Sequence, residues 1–168
     1  RDLHSFPTRR SSDLPAALSS LIGRDPVPGL GAFRAEAIDR FVRMARDRGA
    51  HPLLVQSCVL ALGQMAASHD AGVLEVLDQM ASGRLAPEIQ ARRFAMLSLG
   101  CLGGDAARAN LLLRLPNAYP NLQPWIALGL GILAFERWHA GSGQDTEVGE
   151  ADRKSTRLNS NHRIRSRM

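Results

Sequence analysis

One motif occurs three times in the chain and limits the folds that it can adopt. When Gly63, Gly100 and Gly131 are aligned, three segments superpose without gaps, and each reads Leu, small residue, Leu, Gly, any residue, Met or Leu, small residue. The glycines are 37 residues apart (63 to 100) and 31 residues apart (100 to 131), a period in the range of helical-hairpin repeats. A chain with this period is expected to form its core by stacking successive helix pairs.

A second apolar pattern follows each of the first two motifs and predicts the second helix of each unit. Its residues have the i, i+3, i+4, i+7 spacing of a helix face, and they are Val73, Leu74, Val76, Leu77 and Met80, then Leu111, Leu112, Leu113 and Leu115. Asp70 and Asp105 precede the two patterns, where a side-chain oxygen would accept from a backbone N–H as an N-cap. Each unit is therefore predicted as helix, short turn, helix.

Residues 51–135 resemble HEAT repeats. The first helix of a unit ends in Ala-Leu-Gly, as at Ala61–Gly63, the turn contains Asp, as at Gly103–Asp105, and an apolar helix follows. The resemblance implies an all-α fold, a right-handed α-solenoid of antiparallel helix pairs. Two departures are a turn after Gly63 that is longer than the turn after Gly100, and Pro124, which suits a helix only in its first turn.

Two further helices are predicted upstream of the repeats. Phe33–Arg48 has the pattern of an amphipathic helix, with its inward face formed by Phe33, Ala37, Phe41, Met44 and Ala45. Ala16–Ile22 is predicted to be the first helix of that earlier unit, with Pro26–Gly31 as an irregular connection. Downstream, Leu122–Phe135 is the most apolar run, and it is shorter than the roughly 20 residues of a membrane span. We expect it to be a buried helix.

Both ends of the chain resemble translated sequencing-adapter DNA. Residues 152–162 match the codons of a common short-read adapter except at Asn161, where the adapter encodes Ser, and residues 1–14 resemble the opposite adapter. Segments of that origin are excluded from fold reasoning. The predicted parts are an artefact at 1–14, a truncated HEAT-like domain at 15–140, a polar linker at 141–151 and a second artefact at 152–168. The alternative interpretation of these ends is a basic arm that binds nucleic acid.

The charge of the chain depends on these ends. Of the total of +5, residues 1–14 carry +1 and residues 152–168 carry +5, so residues 15–151 carry −1. We therefore expect no nucleic-acid partner. Within residues 15–151 there is no Lys, and Ala, Leu, Gly and Arg are frequent, a bias typical of a GC-rich bacterial source. Cys58 and Cys101 are expected to be free thiols packed as small hydrophobes, and a cytoplasmic location is slightly favoured.

Few residues have the types and spacing of a chemical site. His51, His69 and His139 fall at separate turns or helix ends, without a zinc-like motif, so no metal, cofactor or catalytic residue is predicted. The candidate docking residues are arginines, namely Arg40, Arg43, Arg92 and Arg93. The first two have acidic i, i+4 partners in Glu36 and Asp39, which fits either a solvated salt-bridged face or a basic docking patch. Arg92 and Arg93 could contact a phosphate, or one of them an acidic residue of the next repeat.

The function expected from the resemblance is a protein-binding or scaffold module without intrinsic catalysis. HEAT-type proteins mostly present an extended surface to a protein or peptide, and no residue-level site is implied by the resemblance. One alternative is a HEAT-like enzyme of the DNA glycosylase or chromophore lyase type; a charge of −1 over residues 15–151 weighs against a glycosylase. The other is a passive regulatory repeat region of a larger bacterial enzyme.

Overall fold

The computed structural model describes residues 7–24, 28–85, 88–139 and 141, with side chains from residue 13 onward. All regular structure among these residues is helical and none of them lies in a strand, which confirms the all-α prediction. The chain divides into two compact units, Arg1–Leu133 and Ala134–Met168. The predicted artefact at 152–168 and, apart from Gly141, the predicted linker lie outside the described residues.

In the described part of the chain, six helices and a 3-10 turn are followed by a seventh helix. Their bounds are Pro7–Ile22 (α1), Gly31–Arg46 (α2), Pro52–Met65 (α3), Ala71–Ser82 (α4), Ile89–Leu102 (α5), Gly104–Arg114 (α6) and Leu115–Asn117 (the 3-10 turn), then residues 123–139 (α7). Helix α1 begins before the predicted start at Ala16 and includes residues 7–14. Pro124 is the second residue of α7, so its prediction as a first-turn proline is confirmed.

Local sequence explains several helix ends. Helix α3 begins at Pro52, and Nδ1 of His51 accepts from the N–H of Leu53 at 3.3 Å. Helix α4 ends at Ser82 and is followed by Gly83, whose φ of +81° is left-handed, a conformation that glycine adopts without a Cβ penalty. The longer turn predicted after Gly63 is confirmed, because α3 and α4 are separated by residues 66–70 and α5 and α6 only by Gly103.

The two predicted aspartate N-caps turn out differently. Asp70 has the N-cap position of α4, but its carboxylate accepts from the N–H of Ala67 at 2.8 Å and so closes the preceding turn. Asp105 lies inside the first turn of α6, where the N-cap is Gly103. The prediction for Asp105 was wrong because the two glycines before it start the helix earlier, although an acidic residue there still favours the positive end of the helix dipole.

Within the first unit, the helices pack in an alternating order along the chain. Helix α3 contacts α1 and α5, while α2 contacts both α3 and α4, and α5 contacts α4 and α6. One hydrophobic cluster joins these contacts and extends from Ile22 in α1 to Leu133 in α7. Its largest fully buried side chains are Leu62, Met65, Leu77, Met80, Met96, Leu99, Leu102, Leu111, Leu122 and Ile126. Each of these helices therefore buries apolar side chains against neighbouring helices.

Small residues bring neighbouring helices into very close contact. A Cβ on Gly63 would lie 2.6 Å from Cα of Ser98, and a Cβ on Gly100 would lie 2.4 Å from the backbone oxygen of Gly129. These distances are shorter than van der Waals contact, so only glycine fits at both positions. The third motif glycine differs, because no described neighbouring atom lies within 4 Å of a Cβ built on Gly131.

The inward face of α2 was predicted in part. Ala37, Phe41 and Ala45 are buried, with exposures that fall from 8% through 4% to 3% along the helix. The helix therefore approaches the core toward its C-terminal end. Phe33 lies one turn before Ala37 and is 48% exposed, so its predicted inward position was wrong, while Met44 packs against the core as partly buried.

The predictions for α6 and α7 also need correction. Leu111 is buried, but Leu112 and Leu113 are 45% and 74% exposed, because consecutive residues point about 100° apart around a helix. In α7, the buried residues Ile126 and Leu133 lie on one face, whereas Leu128 is 52% exposed. The apolar run is thus half covered rather than enclosed.

Candidate functional site

The predicted docking residues Arg40 and Arg43 lie on the solvent side of α2. Both are exposed, and the Arg43 guanidinium pairs with the Asp39 carboxylate one turn earlier, with side-chain exposures of 66% and 61%. An ion pair so open to water contributes little stability and leaves both groups solvated. The structure brings no other described cationic side chain into this pair, so α2 presents a salt-bridged face here.

Arg92 and Arg93 of α5 are partly buried and serve packing as well as charge. The Arg93 guanidinium lies 5.6 Å from the ring centroid of Trp125 in α7, a cation–π geometry. Its partner in α7 is thus an aromatic ring, where the sequence suggested an acidic residue. Nε of Arg92 donates weakly to the carbonyl oxygen of Ala81 at 3.4 Å and lies beside Gly83 at the end of α4.

A cavity of about 510 Å³ lies between α4, α5, α6 and the 3-10 turn. Among the described residues that line it, three are arginines and one is acidic, namely Arg84, Arg92, Arg114 and Asp78. We call it the arginine cavity. Its side chains carry a net charge of +2, three positive against one negative, although residues 15–151 as a whole are close to neutral. Positive charge is therefore concentrated at this site.

Asp78 neutralises only part of this charge. Arg114 donates to the Asp78 carboxylate and, at 3.2 Å, to the backbone oxygen of the same residue, and both side chains are about four-fifths buried. Arg84 lies 4.0 Å from the other carboxylate oxygen and is 71% exposed. The Asp78 carboxylate already accepts a hydrogen bond from Arg114 and pairs only weakly with Arg84. The Arg84 guanidinium can therefore donate to an incoming anion without breaking a strong bond.

The remaining walls of the arginine cavity combine apolar and hydrogen-bonding groups. Met96 and Leu122 are buried and form its apolar part together with Leu113, which is 74% exposed at the rim. Tyr119 is 69% exposed and adds an aromatic ring with a hydroxyl. A concave, partly apolar site with a few fixed polar groups is the usual form of a binding pocket, and Tyr and Arg are enriched at protein interfaces.

The sequence identified one of the three arginines in this cavity. Arg92 was a predicted docking residue, whereas Arg84 and Arg114 were missed. Both lie at the C-terminal ends of helices, Arg114 as the last residue of α6 and Arg84 directly after Gly83. A basic residue at a helix end is a recognisable signal, but it indicates favourable interaction with the helix dipole, and the convergence of the two follows only from packing.

The histidines have local roles. His51 caps α3 as described, and His69 is an exposed turn residue 3.9 Å from Asp70. In the second unit, the His139 ring packs edge-on against Phe135 and Trp138, at centroid distances of 4.3 and 4.9 Å. No cluster of three or more His, Cys, Asp or Glu side chains that could hold a metal occurs in the described part of the chain. Nor does any helix there have the length and apolarity of a membrane span.

The chain was compared with known proteins in three ways. No protein-family model, no curated protein and no solved structure matches it.

Proposed function

We propose that this chain is a HEAT-like repeat module that binds an acidic segment of a protein or peptide, and that the arginine cavity is its docking site. The cavity itself is the observation that carries this proposal. Three arginine side chains line it, two of which, Arg84 and Arg114, approach its one acidic residue, next to an apolar wall and an exposed tyrosine. A carboxylate-bearing side chain with apolar neighbours complements both the charge and the wall. In this proposal the chain acts by binding and not by catalysis.

The packing order supports a repeat architecture for the proposal. In a right-handed solenoid of antiparallel helix pairs, equivalent helices of successive units lie side by side. The contacts of α1 with α3, of α3 with α5 and of α2 with α4 fit this arrangement. The close approaches at Gly63 and Gly100 fit it too, since each joins equivalent helices of adjacent units at equivalent positions of the motif.

An arginine that donates to helix ends also connects the proposed repeats. Arg24, after α1, donates to the carbonyl oxygens of Gly63 in α3 and Cys101 in α5. A guanidinium at these C-terminal ends satisfies carbonyls that have no partner within the helix and meets the negative end of each dipole. In the repeat interpretation, such contacts fix the register of one unit on the next.

Peptide selection tests the proposed function. Random peptides displayed on phage would be selected on the immobilised full chain and on the variants Arg84→Glu and Arg40→Glu. We expect acidic peptides to be enriched on the unaltered chain and on Arg40→Glu, and to be lost on Arg84→Glu. Arg40 is the matched control, because it is an exposed arginine outside the lining of the arginine cavity.

Two results would overturn the proposal. Selection of no consensus on the unaltered chain would refute peptide binding, and an acidic consensus that survives Arg84→Glu would refute the cavity as its site. A competition with single-stranded DNA belongs in the same experiment. Displacement of the selected peptides by DNA at lower concentration than by free acidic peptide would assign the site to a nucleic-acid partner instead.

A further inference from the structure

A second cavity, of about 600 Å³, lies between the C-terminal end of α2, the start of α3 and the end of α4. Its walls include the apolar side chains of Ala45, Val55, Met80 and Leu85. Val55 and Met80 belong to the buried core, and Leu85 packs against that core while partly exposed. We call this space the apolar cavity.

Charge separates the two cavities. The charged residues that line the apolar cavity are two basic and two acidic, namely Arg48, Arg84, Asp47 and Glu88. Glu88 is also engaged as the acceptor of a 2.8 Å hydrogen bond from Gln56. The net charge of these side chains is therefore zero, against +2 in the arginine cavity. Apolar walls under a balanced rim favour an uncharged side chain over a carboxylate.

Arg84 lines both cavities, and the end of α4 explains how. Gly83 turns the chain in the left-handed conformation, and the N–H groups of Arg84 and Leu85 donate to the carbonyl oxygen of Gln79 at 3.0 and 3.3 Å. This ending fixes the backbone of two successive residues. Leu85 is thereby held at the apolar cavity, and Arg84 at the wall that the two cavities share.

We propose that the two cavities are adjacent subsites for one extended peptide, which places an acidic side chain at the arginine cavity and an aliphatic or aromatic side chain in the apolar cavity. This inference rests on the proposed function and specifies its ligand. The shared Arg84 wall is the reason for a single ligand, because a chain that crosses it can present neighbouring side chains to both spaces. Binding at two linked subsites also confers selectivity that a salt bridge alone lacks.

A double-mutant comparison tests the two-subsite arrangement. A selected acidic peptide, labelled with a fluorophore, would be titrated by polarisation with the full chain, with Leu85→Glu and with Leu53→Glu. Leu53 is the control, since it is 47% exposed and lines neither cavity. We expect Leu85→Glu to weaken binding by about tenfold or more, as for loss of an apolar anchor, and Leu53→Glu to leave it unchanged.

A second peptide, with its apolar residue replaced by glycine, completes the cycle. On the unaltered chain, this peptide should bind about tenfold more weakly than the parent peptide. On Leu85→Glu the two peptides should bind equally, because the two changes remove the same contact. Methyl NMR of the unaltered chain gives a readout that requires no variant to fold. Titration of the peptide should shift the methyl signals of Val55, Met80 and Leu85 together with that of Leu113.

The outcomes distinguish the two proposals. Shifts confined to Leu113, Met96 and Leu122, with the affinity of Leu85→Glu unchanged, would overturn the second subsite and leave the arginine cavity as a peptide site. Independent losses from the glycine peptide and from Leu85→Glu would likewise overturn it. If the unaltered chain selects no peptide, the proposed function fails and the two-subsite inference fails with it.

Discussion

Gly100 and Gly131 occupy equivalent positions in the repeated motif, but only Gly100 touches a neighbouring helix. A Cβ at residue 100 would lie 2.4 Å from the backbone oxygen of Gly129, whereas a Cβ at residue 131 would have no atom of the described residues within 4 Å. Alanine is the better helix former by about 1 kcal/mol, so the sign of each substitution depends on the space available. Alanine substitutions at these two matched positions therefore separate the steric cost of an added methyl group from the gain in helix propensity.

We predict opposite effects for the two alanine substitutions. Gly100→Ala should lower the free energy of unfolding by about 1–3 kcal/mol, because backbone must move to admit the methyl group. Gly131→Ala should leave it unchanged or raise it by up to about 1 kcal/mol. Urea denaturation followed by circular dichroism measures both. Equal effects of the two variants would contradict the close approach of α5 and α7.

Cys58 is fully buried, and this burial raises the pKa of its thiol to about 12. In the unfolded chain a thiol has a pKa of about 8.5. Between these values the unfolded chain binds fewer protons than the folded chain, so the free energy of unfolding decreases as pH rises. Its stabilising contribution is complete below about pH 8.5 and is lost as pH approaches 12.

The corresponding prediction concerns alkaline stability. Between pH 9 and 11, the Cys58 thiol should lower the free energy of unfolding by up to about 1.4 kcal/mol per pH unit. Cys58→Ala should show a shallower slope over the same range, whatever its stability at pH 7. Urea titrations at several pH values measure the two slopes. Parallel slopes would mean that Cys58 ionises as easily in the folded chain as in the unfolded one.

Arg34 links helix α2 to the C-terminal end of α3 through a side-chain hydrogen bond. Its Nε donates to the Met65 carbonyl oxygen at 2.8 Å, and its guanidinium lies 3.5 Å from the Asp70 carboxylate in the α3–α4 turn. Arg46 also connects helices, through Glu75 of α4 at 3.3 Å. The two differ in burial, since the Arg34 side chain is 16% exposed and that of Arg46 is 44% exposed.

This difference in burial predicts that the two arginines contribute unequally to the free energy of unfolding. Arg34→Ala should lower the free energy of unfolding by about 2 kcal/mol, because it leaves a helix-end carbonyl without its donor and a partly buried carboxylate without its cationic partner. Arg46→Ala should cost less than about 1 kcal/mol. Hydrogen exchange should also accelerate at residues 66–70 in the first variant alone. Similar exchange in both variants would show that the turn does not depend on Arg34.

Sequence predicted the elements best where local chemistry decides them. Periodicity predicted the buried face of α4, and Pro124 lies in the first turn of its helix as expected. Exposure was harder to predict: Phe33 and Leu113 continue apolar patterns, yet neighbouring helices do not cover them. Whether a helix face is covered depends on where other elements stop, and a local pattern carries no such information.

The same limit applies to the candidate site. Arg92 stood out because two arginines are adjacent in sequence, whereas Arg84 and Arg114 are isolated residues at separate helix ends. Arg84 follows Asp78 closely in the chain, but Arg114 meets Asp78 only because the fold brings the ends of α4 and α6 together, across a separation of 36 residues. The arginine cavity was therefore not visible in the sequence, although one of its side chains was.

For the first unit as a whole, the packing order predicts an order of local stability. Helix α3 contacts α1, α2 and α5, and α5 contacts α3, α4, α6 and, through Gly100, α7. Helix α6, by contrast, buries only Ala107 and Leu111 along its length. Local opening is least favourable where apolar contacts surround an element. Native-state hydrogen exchange should therefore be slowest in α3 and α5 and faster in α6. Slowest exchange in α6 would contradict this order.

The contact between Gly100 and Gly129 bears on how the first unit can deform. Side chains at a helix interface can change rotamer and let two helices slide past each other. Here main-chain atoms meet directly, and main chain has no alternative rotamer to adopt. We therefore expect α5 and the part of α7 within the first unit to move together at this point, and bending to occur where the contacts are made by leucine and methionine side chains.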